Sequence, residues 1–189
     1  MNDLDASHDG QRVIGAEDAV PATSPSDSDS EERTTNGSGT RDDDPHDLIS
    51  RFIRTHQSHF ARALTEIKNG QKRSCWSWYL LPAAPWIVNG VESGSYTNMK
   101  YSLRTDEQAK AYLRLRHDGV DLRRNYLDLV TAMRDSLSRG VKFSSMMGFL
   151  DDPKARASLR LFERISREVG DEELNGICRD VMSMIKEAF

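Results

Sequence analysis

No stretch constrains this chain more than Lys72-Arg73-Ser74-Cys75-Trp76-Ser77-Trp78-Tyr79-Leu80-Leu81-Pro82. It sets two of the three tryptophans beside two cations, a thiol and a proline. Pro82 and Pro85 stop a helix from running on, because proline lacks an N–H and its ring clashes with the preceding turn. Asn89-Gly90 and Ser93-Gly94-Ser95 are turn chemistry. Residues 71–104 are therefore expected to form a long non-helical connection. Trp76, Trp78, Tyr79, Trp86 and Ile87 make it too apolar to float free, so it must pack on whatever surrounds it. Long ordered loops inside a compact domain are uncommon and often functional.

What surrounds it reads as helix. Leu48, Ile49, Phe52, Ile53, Phe60, Leu64 and Ile67 recur at helical spacing, with Asp47 as the expected cap and Asn69-Gly70 as the stop. Thr105-Asp106-Glu107-Gln108 is a capping box, opening a helix to about Arg116 that Asp118-Gly119 breaks. Leu122, Tyr126, Leu129, Val130, Met133 and Leu137 line the face of a longer helix ending at Arg139-Gly140. Val141 to Leu150 reads as a short helix or turn, with Met146, Met147 and Phe149 as core filler. Asp152 as cap and Pro153 at the first helical position start another helix, with Leu159, Phe162, Ile165 and Val169 facing inward. Gly170 stops it, and Asp171 caps a last helix carrying Leu174, Ile177, Val181, Met184 and Ile185. The fold class expected is all-α: a compact single-domain bundle of about five helices, residues 46–189, with an ordered Trp-rich loop.

The charge is uneven. Residues 1–45 hold 12 acidic and 3 basic side chains, and the remainder hold 18 and 23. The first segment is low-complexity and buries too little to offset its ordering entropy, so it is expected to be a disordered acidic tail. Ser24, Ser26 and Ser28 each precede an acid by three residues, a pattern suited to an acid-directed kinase. The mildly basic remainder is compatible with phosphate-bearing ligands or simply with solvated helices. A nucleic-acid partner is disfavoured, because aromatic residues are few and the basic ones dispersed. Cys75 and Cys178 make no CxxC pair, and a reducing compartment without a disulfide is expected, with Cys75 a packed thiol. The acidic N-terminus lacks a signal-peptide pattern, and the longest apolar run, Trp78 to Val88, is too short and proline-broken to span a bilayer. The expectation is a soluble intracellular protein without a membrane partner, cytoplasmic with a nuclear location left open. His56 and His59 lie three apart but have no third ligand nearby in sequence. No metal or cofactor is expected.

Motifs for dinucleotides, phosphate loops, zinc proteases and serine hydrolases are missing from the sequence. A different ordered set is present. It comprises Arg51-Phe52, Gln57, Ala63-Leu64, Glu66-Ile67, Gly70, Lys72-Arg73-Ser74-x-Trp76-x-Trp78 and Pro82. Glu107-x-Ala109-x-Ala111-Tyr112-Leu113, Gly148, Asp151-Asp152-x-Lys154-x-Arg156-x-Ser158 and Leu161-Phe162 follow. Over about residues 50–170 this resembles a widespread family of small helical proteins catalogued as domain of unknown function eighteen-ten, some bacterial members of which are misleadingly labelled calpastatin. The resemblance implies an all-α fold and no established activity. The chain departs from the family pattern at Cys75, where His is usual, at Ala83, where Gln is common, and at Arg160, in place of Thr. The family's usual C-terminal ending is not recognisable after Val169.

Two polar clusters stand out beside the apolar pattern. One is Lys72, Arg73 and Ser74 ahead of Trp76 and Trp78; the other is Asp151, Asp152, Lys154, Arg156 and Ser158 at a helix start. Cations and free N–H groups there can hold a phosphate or carboxylate, and a tryptophan face can stack a flat ligand. The plainer alternative has Asp152 capping, Asp151 pairing with Lys72 or Arg73, and both tryptophans filling the core. Three functions follow: a module binding a small anionic or nucleotide-like ligand between the clusters, an enzyme using Asp151 or Asp152 as acid/base on such a ligand, or an interaction module with a phosphorylation-tuned tail.

Overall fold

The computed structural model describes residues 44–186. All but the end of the expected tail, with Ser24, Ser26 and Ser28, lies outside them. Five longer helices stand where the apolar period puts them: α1 (Arg54–Lys68), α4 (Asp106–Arg114), α5 (Leu122–Ser138), α7 (Asp152–Val169) and α8 (Glu172–Lys186). Three short helices join them, α2 (Ser77–Leu80), α3 (Tyr96–Tyr101) and α6 (Phe143–Met147). A π-helical turn, Ile49–Ile53, leads into α1.

Two antiparallel hairpins interrupt the all-helical pattern. β1 (Trp86–Val88) pairs with β2 (Val91–Ser93), and β3 (Arg116–His117) with β4 (Val120–Asp121). Each turns on a two-residue loop with both φ angles positive: Asn89 (51°) and Gly90 (79°), then Asp118 (47°) and Gly119 (75°). That is the turn whose twist matches paired strands. Residues 71–104 are thus more regular than the sequence alone indicates, holding α2, one hairpin and α3.

α5 lies at the centre, packed on α1, α4 and α8, while α7 packs on α8 and α4. Phe52, Trp76, Tyr112, Tyr126 and Phe162 are the largest buried rings. Phe52 meets Tyr112 edge to face at 5.1 Å, and Tyr126 meets Phe162 at 4.4 Å. His56 joins this core in one tautomer. Its Nε2 lies 3.0 Å from the Tyr79 carbonyl, which can only accept, and its Nδ1 lies 3.1 Å from the Asn125 amide nitrogen, which can only donate. Nε2 therefore carries the proton, and burial holds the imidazole pKa down at about 4.

Several local expectations are corrected. Asp44, not Asp47, starts the first helix: its carboxylate accepts from the N–H groups of Leu48 (2.8 Å) and Ile49 (2.7 Å), while Asp47 takes a φ of 55°. Asp152 is already the first helical residue of α7 and Pro153 the second, and neither Asp151 nor Asp152 caps with its side chain. Their carboxylates are drawn to side chains described below. Trp86 and Ile87 are exposed on the hairpin rather than packed, Phe149 is 90% exposed, and Val169 reaches solvent at the end of α7. Cys75 is exposed; Cys178 is the buried thiol, pushed up to about 12 by burial.

The capping box at Thr105 forms, its hydroxyl accepting from Gln108 N–H at 3.2 Å, and Gln108 reaches back to Arg104 N–H at 2.8 Å. Asp171 caps α8 through Leu174 N–H at 3.1 Å and also binds Arg123 at 2.5 and 2.7 Å. Among the described residues no helix is long and apolar enough to cross a membrane.

Candidate functional site

The 72–82 segment is fastened along its whole length. Lys72 N–H donates to Met146 O at 2.7 Å, the Tyr79 carbonyl is held by His56, and the Pro82 carbonyl accepts from Ser158 Oγ at 2.7 Å. Those bonds tie it to α6, α1 and α7. Proline and the apolar run give the segment its bend; backbone groups that a helix would satisfy internally are met by these neighbours instead.

One flank of the segment is a hub. Glu66, in the last turn of α1, accepts from Arg73 N–H (2.8 Å), Ser74 N–H (3.1 Å), Ser74 Oγ (2.6 Å) and the Trp76 indole Nε1 (2.8 Å). These bonds hold its pKa down at about 2 against the opposing effect of desolvation. Trp76 itself is 1% exposed. Ser74 and Trp76 are thereby committed to holding the fold. Arg73 is exposed, with its guanidinium beside Gln71 at 3.3 Å.

The other flank gathers groups far apart in sequence. Lys72 Nζ pairs with Asp151 Oδ2 at 2.5 Å, and Ser77 Oγ donates to Asp151 Oδ1 at 2.5 Å. Of the two pairings open to Asp151, the one with Lys72 forms. Lys154, one turn into α7, sets its Nζ 5.3 Å above the Trp78 ring and 2.9 Å from Asn98 Oδ1. Trp78 is partly exposed, and Lys72 stands 5.3 Å over the buried Trp76 ring. Burial pulls the Lys154 ammonium down to about 7; Asp151 opposes that shift and the Lys72 charge adds to it.

The remaining site residues serve structure. Arg156 pairs with Asp152 along the helix and lies 5.1 Å over the Phe143 ring. Ser158 is buried, its Oγ shared between Pro82 O and Tyr126 OH. Lys72, Trp78, Asp151 and Lys154 are thus brought together, with Ser77 and Asn98 as partners the sequence did not single out. Asn98 offers no signal in sequence. Glu66 offers a weak one, an acid in a helix's last turn where the macrodipole disfavours it, followed by donor-rich Lys-Arg-Ser.

Among the described residues, open grooves lie elsewhere, two of them touching α8. One of about 660 Å³ is lined by Arg160, Glu163, Gly176, Arg179 and Asp180 among others. The other, about 500 Å³, includes Arg124, Asp128, Glu172 and Asp180. Both mix acids and bases. Among the described residues no three His, Cys, Asp or Glu side chains gather as a metal site would require.

Residues 45–180 match a family described as protein of unknown function, DUF1810. The chain belongs to this family. No curated protein matches it. Among solved structures, the conserved hypothetical protein Rv1873 from Mycobacterium tuberculosis is similar, with a TM-score of 0.60 and 23% identity, over 75% of this chain and 91% of that one. That likeness supports the fold alone. Glu66, Trp76 and Pro82 hold the loop, while Trp78 and Lys154 are among the partly exposed residues beside it.

Proposed function

We propose that the domain is a binding module for a small anionic or nucleotide-like ligand, seated at Trp78, Lys154, Lys72 and Asp151. The observation that carries this is Lys154. Its ammonium is desolvated over a tryptophan face and disfavoured by the charge of a second lysine, while the one carboxylate that opposes this, Asp151, is paired with that second lysine. An anion placed beside Lys154 would relieve that strain and raise its pKa, so binding energy is available there that a purely structural lysine would lack. Trp78 supplies the flat apolar wall; the buried Trp76 has no face to offer.

An acid/base role for Asp151 or Asp152 has less support. Asp151 is held by Lys72 and Ser77, and Asp152 by Arg156. Both carboxylates are spent on cations and a hydroxyl before a substrate arrives. The tail-based interaction reading draws on residues outside the described ones.

The test is a thermal-shift and calorimetric screen of inorganic phosphate, nucleoside monophosphates and nucleoside diphosphates. The reading predicts a shift that is lost in Lys154→Gln and weakened in Trp78→Ala. A shift that persists unchanged in Lys154→Gln would sink it. Turnover of a bound compound that disappears in Asp151→Asn would favour the enzyme instead.

A further inference from the structure

Lys154 occupies a setting that does more than attract anions. Its amine lies on the first turns of α7, against an indole face and hydrogen-bonded to a neutral amide oxygen, beside an ion pair of opposite charges. A lysine placed in an apolar site next to another cation is the arrangement that frees an amine to act as a nucleophile. The adjoining Lys72–Asp151 pair, side chains 8% and 19% exposed, keeps a second cation in the same cluster, and its charge disfavours a charged Lys154.

From this juxtaposition we infer that Lys154 forms a reversible imine with a carbonyl compound that also carries an anionic group, with Lys72 holding the anion. The inference rests on the binding reading given above and names its ligand class: a small aldehyde or ketone bearing a carboxylate or phosphate.

The chemistry balances without a further reactant. The neutral Nζ attacks the carbonyl carbon, a C–N bond forms, and the carbonyl π pair moves onto oxygen. Solvent water relays a proton from nitrogen to that oxygen. The oxygen leaves as water when a second proton from nitrogen reaches it and the nitrogen lone pair closes the C=N bond. One water is released for each imine, and nothing is oxidised or reduced. The fraction of amine in the neutral form near neutral pH, set by burial with Lys72 and opposed by Asp151, is what makes the first step accessible there.

The full chain is incubated at pH 7 with pyruvate, with ribose 5-phosphate and with the neutral carbonyl propanal, each in the presence of cyanoborohydride to trap an imine. Intact mass and peptide mapping then give the number and position of adducts. The inference predicts one dominant adduct on Lys154, formed at least tenfold faster than on the exposed Lys68, Lys100 and Lys142. It also predicts faster modification by the anionic carbonyls than by propanal, and loss of the dominant adduct in Lys154→Arg. The relative yields from pyruvate and ribose 5-phosphate separate a carboxylate from a phosphate ligand. Adducts spread over the exposed lysines in proportion to exposure would overturn it, and so would equal rates for propanal and the anions. A nucleoside monophosphate, which has no aldehyde or ketone to trap, is run alongside by thermal shift. A shift with no Lys154 adduct overturns the imine and leaves the binding reading standing. A Lys154 adduct preferring anionic carbonyls, with no nucleotide shift, supports the imine and removes the nucleotide from the ligand class.

Discussion

The two flanks of the 72–82 segment are built from similar parts and behave differently. On one, the single carboxylate of Glu66 meets four donors, every partner is satisfied, and the ring it holds is sealed. On the other, the single carboxylate of Asp151 faces two lysines, and one of them, Lys154, is left with a pKa near 7 over a partly open ring. The first arrangement lowers the energy of the fold. The second keeps a charge where the fold does not favour it, which is how sites differ from scaffolds. Substitutions on the two flanks should therefore have effects of opposite sign on stability.

The largest effect belongs to the scaffold. Trp76→Ala removes a sealed ring and is expected to cost about 3–5 kcal/mol, read from the denaturant midpoint. A cost below about 1 kcal/mol would mean the ring is not the anchor described. Next is acid sensitivity through His56, which holds the Tyr79 carbonyl. Its folded pKa of about 4 lies below the ordinary value of 6.5, so the unfolded chain takes up a proton that the folded chain refuses. The stability it contributes is complete above pH 6.5 and is lost as pH falls towards 4, by about 3 kcal/mol in all. His56→Gln should flatten that part of the pH–stability curve; an unchanged slope would contradict the buried neutral imidazole.

Glu66→Gln keeps the shape but weakens charge-assisted bonds and is expected to cost about 2 kcal/mol. The smallest effect is the most informative, because its sign reverses. Lys154→Met is expected to stabilise the chain at pH 7 by about 1 kcal/mol, after allowance for partial solvent exposure. The gain should shrink as pH rises towards 10.5, where the unfolded lysine also loses its proton. A loss of stability comparable to that of Glu66→Gln would erase the distinction between the flanks.

The five longer helices were legible because each repeats its apolar residues at helical spacing and ends on recognisable chemistry, such as Thr105 with Gln108 or Gly170 with Asp171. The hairpins were not legible, although Asn89-Gly90 and Asp118-Gly119 announce tight turns, because strands of two or three residues are too short to show an alternation. The exposure of Trp86 and Phe149 could not be read either: side-chain type favours burial, and only the path of the chain decides it. The candidate cluster was half legible. Lys72 and Trp78 stand out as candidates by type in the Trp-rich stretch, and Asp151 and Lys154 by type at a helix start. Which aspartate meets which cation depends on how α7 lies beside the loop, and nothing in the sequence says that Glu66 gathers Arg73, Ser74 and Trp76.

The most direct measurement is the titration of Lys154 itself, followed by NMR of the side-chain carbon next to Nζ in the free chain and with a saturating nucleoside monophosphate. The account predicts a midpoint near 7 in the free chain that moves up towards the ordinary lysine range when the anion is bound. A midpoint already in the ordinary range, unmoved by the anion, would contradict it.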